Sequence, residues 1–384
     1  MGRHQARRVV DRISSLSDEL ICHILSFLMT RDAVVTSVLS KRWYPLWRSV
    51  PVINLSDEHV TDEETCLQFG EFVFSVLLSR DVMQPVKRFR LKSVYKGNNY
   101  SNNHNLNKWV SLVLDRRVEH LELLVNTVPK LFPIDILSCR TLVVLKLSGF
   151  RKVNENDVSS VELPSLKILH LGAIVFTRDR CLLRLLSGCP NLEDFKAISV
   201  VSASHDSCEE FKSLTKLIRA EILCCKINFI VEALYNVEYL FLRVNKEVSV
   251  YSNHLPVFSN LTRMVLSFDK YMWRWLVNML KHCPKLQILQ VIEIGIGDFN
   301  ENWVCPKFVP ECVSLQLRDC AIRGFEGNHD ELQFARYIMR NASVLQTMQI
   351  YYNKKLGSNA KVEVNEKLSE CKKHCAACQL NFFN

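Results

Sequence analysis

The densest set of chemistry-bearing residues in the chain is Cys371-x-x-His374-Cys375-x-x-Cys378. Three thiols and an imidazole form a candidate zinc set, because thiolate sulfur and imidazole nitrogen are what structural zinc prefers. Structural zinc, however, draws two ligand pairs from separated knuckles, and no second C-x-x-C lies nearby. Adjacent His374 and Cys375, read as helical, also point apart. The expectation is therefore no metal and no cofactor. The remaining thiols fit packing. Cys139, Cys189 and Cys283 each stand three residues before the first leucine of a recurring motif, and Cys224-Cys225 reads as buried strand. No cysteine stands in a nucleophile motif, and the phosphate-binding G-x-x-x-x-G-K-[ST], the Rossmann glycine set, G-x-S-x-G and H-E-x-x-H are all missing. With 11 glycines in 384 residues, phosphate-cradling loops are not a theme. These residues predict a chain that is not an enzyme by itself and works through recognition.

Composition narrows the partners. Fifteen cysteines, an odd count, without an export signal read as reduced thiols, which places the chain in cytoplasm and/or nucleus. The net charge of +9 comes from 49 basic and 40 acidic residues scattered along the sequence. The one local cluster, Arg3, Arg7, Arg8 and Arg12, reads as a solvated arm, with a nuclear-localisation patch as the sharper alternative. No aromatic–basic interleaving marks a nucleic-acid platform, and no apolar run approaches the ~18 residues that span a bilayer. No nucleic acid and no membrane are expected as partners.

The elements that must position a recognition surface begin with Asp11-Arg-Ile-Ser-Ser-Leu-Ser-Asp-Glu-Leu-Ile-Cys-His-Ile-Leu-Ser-Phe-Leu-Met-Thr and Ser40-Lys-Arg-Trp-Tyr-Pro-Leu-Trp47. Ser15–Asp18 reads as a capping box opening a helix with Leu16, Leu20, Ile24, Phe27 and Leu28 on one face. Thr30 can cap a second helix with Ala33, Val34 and Val38. A third segment sets Trp43, Leu46 and Trp47 at i, i+3, i+4. Three short helices with this many apolar side chains exceed what so small a module can bury, which implies a surface kept for another protein. The stretch resembles the F-box of plants, D-R-I-S-x-L-P-D-E-L-x-x-x-I-L-S-F-L-P-T…S-V-L-S-K-R-W, with Ser17 and Met29 in place of prolines.

A second pattern, L-x-x-L-x-L with other apolar residues allowed, recurs as Val86/Phe89/Leu91, Val118/Leu121/Leu123, Leu142/Leu145/Leu147, Leu166/Leu169/Leu171, Leu192/Phe195/Ala197, Leu214/Leu217, Val237/Leu240/Leu242, Leu261/Met264/Leu266 and Leu286/Leu289/Val291. From 118 to 286 the steps are 24, 24, 26, 22, 23, 24 and 25 residues, the spacing of leucine-rich repeats. One unit cannot bury its apolar face, so units stack into a parallel-sheet solenoid. Arg180–Ser187 and Trp273–Lys281 have the spacing of convex helices. The Asn-rich Tyr95–Lys108 predicts a long polar loop, Arg151–Ser160 and Val201–Glu210 shorter surface insertions, and a last boundary falls near Asp298–Pro310. The ending, with a helix near Glu331–Arg340, a strand Leu345–Tyr351 and Cys-Gln-Leu-Asn-Phe-Phe, resembles the FBD domain that follows plant F-box repeats. The fold expected is α/β: a small three-helix F-box (9–55), a leucine-rich-repeat solenoid forming a parallel horseshoe (56–300), and an FBD-like C-terminal cap (301–384).

The resemblance implies a substrate-receptor subunit of a Skp–cullin–F-box ubiquitin ligase, non-catalytic in itself. Leu16, Leu20, Ile24, Leu25, Leu28, Val38, Leu39, Trp43, Leu46 and Trp47 match the apolar positions of the motif and divide between a mini-core and a face for the Skp-type adaptor, through which cullin is reached. The trio Trp43, Leu46 and Trp47 is expected to matter as an anchor, since aromatic anchors carry most interface energy. Strand alternation puts His170, Lys196, Tyr239, Phe241, Arg243, Arg263, Val265, Gln290, Gln316 and Arg318 on the concave face, as candidates to hold a protein target. Two alternatives stay open: a receptor gated by a small molecule, and a non-ligase interaction scaffold with a degenerate F-box.

Overall fold

The computed structural model describes residues 12–13, 15–80, 84–95, 101–125, 132–204, 214–223, 233–244, 255–268, 273–293, 303 and 305–384. The basic residues Arg3, Arg7 and Arg8, the pair Cys224-Cys225, residues 205–210 of the second insertion and residues 298–302 and 304 of the last boundary lie outside them. The chain divides into two compact units, Met1–Arg151 and Lys152–Asn384.

The first unit opens with α1 (Asp18–Leu25), and its cap is Ser17, whose Oγ accepts the Leu20 N–H at 3.4 Å. Ser15 instead turns back and donates to the Arg12 carbonyl. The expected capping box on Ser15 is thus not formed, and a simple cap falls two residues later, at the position with extended backbone (φ −66°, ψ 157°). Met29 stands in the same relation to α2 (Thr30–Val35), with φ −63° and ψ 144°. Both residues keep the φ that proline would impose, so the two departures from the F-box prolines leave the turns in place. Thr30, expected as a cap, is buried and accepts the Asn54 N–H at 2.8 Å. Short 3₁₀ turns at Thr36–Val38 and Leu46–Ser49 complete the module.

Four parallel strands follow in this unit: β1 (Val52–Ser56), β2 (Arg88–Ser93), β3 (His120–Val125) and β4 (Val144–Ser148). Register aligns Ile53, Phe89, Leu121 and Leu145 in one buried row and Leu55, Leu91, Leu123 and Leu147 in the next. Each rung covers the apolar face of its neighbour, as the repeat predicts. The connecting helices are α3 (Glu63–Leu78) and α4 (Ser101–Leu114). The second corrects the expected polar loop. Leu106, Trp109, Val110 and Val113, at i, i+3, i+4 and i+7, are all buried, and that stripe draws the Asn-rich residues from 101 onward into helix.

Two arginines beyond the ends of these helices are buried and cap carbonyls. Arg80 donates to the Trp47 and Val50 carbonyls, and Arg116 to the Leu77 carbonyl at 3.0 Å. Burial, reinforced by Arg116, lowers the Arg80 guanidinium to about 10, still charged at neutral pH. Arg80→Met removes the partner of two buried carbonyls, so it is expected to cost the first unit about 2–3 kcal/mol. The denaturant midpoint reads this directly, and an unmoved midpoint would refute the capping role.

After β5 (Arg151–Val153), the strands are β6 (Ile168–Gly172), β7 (Val175–Arg178), β8 (Asp194–Ile198), β9 (Val201–Ser204), β10 (Arg219–Leu223), β11 (Tyr239–Val244), β12 (Arg263–Phe268), β13 (Ile288–Glu293), β14 (Asp319–Phe325), β15 (Thr347–Tyr352) and β16 (Gln379–Phe383). In the second unit β6, β8 and β10 to β16 pair as one parallel ladder. The insertions expected at 151 and 201 each begin as strand, and β7 pairs with β9 in a small separate sheet. The helices are α5 (Asp179–Ser187), α6 (Trp273–Lys281), α7 (Glu311–Leu315), α8 (His329–Asn341) and α9 (Ser358–Ser369). Gly188 ends α5 because of space: a Cβ there would sit 2.4 Å from Val161 Cγ1. The C-terminal region does not form a different kind of layer, since β14 to β16 continue the ladder of β13 in register.

Two frames differ from expectation. The degenerate repeat is Leu217/Ala220/Ile222, since Ala220 pairs with Phe195 and Leu240 and all three of its apolar residues are buried. Near 313, the alternation Val313, Leu315, Leu317 suggests strand, yet Pro310 starts helix α7 and the strand begins at Asp319. Gln316 and Arg318 therefore precede the strand and leave the ladder face opposite the core, where Asp319, Ala321 and Arg323 stand instead.

The turns that lead into the strands carry a side-chain ladder. Asn191 Nδ2 donates to the Pro164 carbonyl at 2.7 Å, Lys216 Nζ to Asn191 Oδ1 at 2.5 Å, and Asn236 Nδ2 to the Thr215 carbonyl at 2.6 Å. It continues with Asn260 Nδ2 on Asn236 Oδ1 at 2.7 Å and Lys285 Nζ on Asn260 Oδ1 at 3.3 Å. These polar residues each precede the first apolar residue of a repeat; Asn191 and Asn236 satisfy turn carbonyls that the strands leave open, and the others tie onto the asparagine side chains.

Candidate protein-docking surfaces

The N-terminal helices sort their apolar residues into two sets. Ile21, Leu25, Ala33, Trp43, Leu46, Trp47 and Val50 are buried together. Leu20, Ile24, Phe27, Leu28, Val35, Val38, Leu39 and Tyr44 remain exposed, Val38 by 81% and Phe27 by 76%. Helix α1 thus has two apolar stripes, Ile21/Leu25 inward and Leu20/Ile24 outward, the second continued by Phe27 and Leu28. Of the ten residues expected to divide between core and face, Leu20, Ile24, Leu28, Val38 and Leu39 are open. Leu25, Trp43, Leu46 and Trp47 are inside, and Leu16 is half-buried. The tryptophans sit in the mini-core because the 3₁₀ turn at 46–49 folds them under α1. Val35 and Tyr44 were missed; Val35 stands at i, i+3, i+4 with Val38 and Leu39, which was a legible signal. Arg42 fixes the loop to α1 through Asp18 at 2.6 Å. Eight such side chains, at ~1.5–3 kcal/mol each for full burial, supply a gross driving force of the size that association costs, about 4–15 kcal/mol.

In the second unit, alternation places His170, Lys196, Tyr239, Phe241, Arg243, Arg263 and Gln290 on the side of the ladder opposite the core. Val265 shares that side but is buried. The frame correction adds Arg219 and Glu221, and with Asp194 they form a charge network. Lys196 Nζ lies 2.6 Å from a Glu221 carboxylate oxygen, Arg219 pairs with the other, and Asp194 lies 3.9 Å from Arg219 and 3.6 Å from His170. Burial works to raise the Glu221 carboxyl, but the hydrogen bonds from Lys196 and Arg219 outweigh it and hold it below the usual range. The Tyr239 ring carries the Arg219 guanidinium at 3.9 Å and Arg263 at 5.7 Å. Farther along the ladder Arg323 lies 4.0 Å from the Tyr351 ring, whose other neighbour is Phe383, stacked at 4.6 Å.

The zinc candidates lie in the turn after α9 and not in a helix. Cys371 and Cys378 are buried, Cys375 is half-buried and His374 exposed. Among the described residues no group of three or more His, Cys, Asp or Glu is placed to hold a metal ion. Cys189 and Cys283 occupy equivalent places, each donating to a carbonyl four residues back at 3.2 Å, and burial raises the Cys189 thiol to about 12. Such a thiol is not a nucleophile at neutral pH. Cys139 is only half-buried, beside Thr141. No helix among the described residues is long and apolar enough to cross a membrane.

A helical module with an open apolar stripe, joined in sequence to a ladder of parallel repeats, defines a scaffold built for binding. Residues 13–55 match the F-box domain, 106–252 the leucine-rich repeats described as those of FBD-associated F-box protein At5g56370, and 306–350 the FBD. F-box/FBD/LRR-repeat protein At3g52680 of Arabidopsis thaliana is 30% identical over 86% of this chain and 83% of its own. F-box/FBD/LRR-repeat protein At4g26340 is 29% identical over 88% and 92%, and At1g78750, of the same description and organism, 27% over 98% and 97%. The chain belongs to the F-box/FBD/LRR-repeat family.

Proposed function

We propose that the chain is the substrate-recognition subunit of a Skp–cullin–F-box ubiquitin ligase. The observation that carries this reading is the uncovered stripe Leu20, Ile24, Phe27, Leu28, Val35, Val38, Leu39 and Tyr44 on a module matching the F-box domain. That stripe docks the Skp-type adaptor and through it cullin, while the ladder face of the second unit holds a protein target. In this division of labour residues 9–55 dock, 56–300 form the repeats and 301–384 continue them. The chain works without chemistry of its own, in cytoplasm or nucleus. It raises the effective concentration of target lysines near ubiquitin charged on another subunit.

Binding to purified Skp-type adaptor tests it, with Leu20→Asp/Ile24→Asp and Val38→Asp/Leu39→Asp beside the wild type. All four positions are exposed, so both variants stay folded; each is expected to weaken capture at least tenfold, since a carboxylate buried unpaired is costly. Undiminished capture by both variants, or none by folded wild type, would sink the reading.

A further inference from the structure

The ladder face of the second unit holds both signs of charge, but they are not equally engaged. Its acids are taken: Asp194 by His170 and Arg219, Glu221 by Lys196 and Arg219, and Asp319 by the Thr347 hydroxyl at 2.6 Å. Two arginines are not. Arg263 and Arg323 are exposed, each lies against a tyrosine ring, and among the described residues neither has a carboxylate or carbonyl partner. Contact with the ring orients a guanidinium while leaving its N–H edge free, which suits it to a carboxylate from another molecule. Register places Arg263 level with Ile288 and Asp319, and Arg323 lies four residues beyond Asp319. Two strand spacings and four residues of rise put the two backbones on the order of 16 Å apart. An extended peptide covers that distance in about five residues, so acidic residues four or six apart, which share one face, come within reach of the two guanidiniums. Between them, on β13, lies Gln290, a side chain able to bond a passing backbone.

We propose that this face binds an extended acidic segment, with its carboxylates on Arg263 and Arg323. The inference rests on the target-holding role given to the ladder and names the class of target. The probes are labelled 12-residue peptides: poly-glutamate, a Gly-Ser repeat, and the same repeat with two phosphoserines four residues apart. Binding is measured near physiological salt to the full chain. Poly-glutamate is expected to bind, the Gly-Ser repeat not, and Arg263→Gln/Arg323→Gln to weaken poly-glutamate at least tenfold. Lys354→Gln/Lys355→Gln removes the same charge from exposed positions off the face and is expected to leave binding within about twofold. Thermal melting checks that both variants fold. Equal losses in the two variants would mean general attraction to a basic protein and overturn the proposal. So would poly-glutamate binding no better than Gly-Ser, or binding confined to the phosphoserine peptide. Adaptor capture is read on the same preparations. Capture without peptide binding defeats this inference alone, and peptide binding without capture defeats only the ligase reading.

Discussion

A Trp43→Ala/Trp47→Ala variant is expected to lose the packed form of the N-terminal helices altogether, and with it adaptor capture. Each ring is over nine-tenths buried, and removing a buried tryptophan costs about 3–5 kcal/mol. Two such losses approach the whole stability of a small domain, about 5–15 kcal/mol. Trp47 is also tied in by its carbonyl, held by Arg80, and by its ring, 5.6 Å from the Arg48 guanidinium. Limited proteolysis reads the result: the variant should be cut within residues 15–50 while fragments from the second unit stay resistant. The contrast with the aspartate variants of the open stripe is the informative part, because those should resist protease and still fail to bind. A tryptophan variant as resistant as wild type but unable to capture adaptor would return these rings to the interface.

The second large effect is at Glu331, which is fully buried in the C-terminal region. Its carboxylate accepts the N–H groups of Glu326 (3.0 Å), Gly327 (2.8 Å) and Asn328 (3.0 Å), while Asn328 Oδ1 accepts the Glu331 N–H at 2.9 Å. One side chain therefore closes the loop between β14 and α8 and caps the helix. Glu331→Ala leaves three donors without their acceptor and is expected to cost about 3–5 kcal/mol. Glu331→Gln can set its amide oxygen where Oε2 accepts all three N–H groups, but it loses the charge and turns its N–H₂ toward the Glu326 N–H, so it should recover only part of the loss. Chemical denaturation gives the midpoint shift. A Glu331→Gln variant as stable as wild type would show that the carboxylate charge is not what organises the loop.

The repeat was legible because every rung imposes the same side-chain alternation, so Leu145/Leu147 and Leu240/Leu242 announce themselves without any partner in view. It failed where two frames fit the same residues. Leu214 and Leu217 both suit the first slot, and the small Ala220 hid the true core position; Arg219 and Glu221 went unseen for that reason. At 313–317 local alternation mimicked a strand that a proline-started helix displaced. The N-terminal module was legible as apolar but not as inward or outward, since α1 is apolar on adjacent stripes and only the packing of the 46–49 turn decides between them. Arg80 gave no signal at all, and Glu331 only that of the Asn328-x-x-Glu331 capping box, not its hold on the Glu326 and Gly327 N–H groups. Their acceptors and donors are backbone groups, which every residue carries.

The asparagine and lysine ladder bears on how such proteins change over generations. Each member grips the rung before it, at a turn carbonyl or at the asparagine Oδ1, so a rung gained or lost whole leaves the remaining grips an acceptor of one of these two kinds. A fractional insertion shifts the polar residue away from its acceptor and the apolar row away from the core together. Drift in rung number is therefore structurally cheap, drift in rung length expensive, and lineages sharing this plan should differ by whole rungs or in the loops between them.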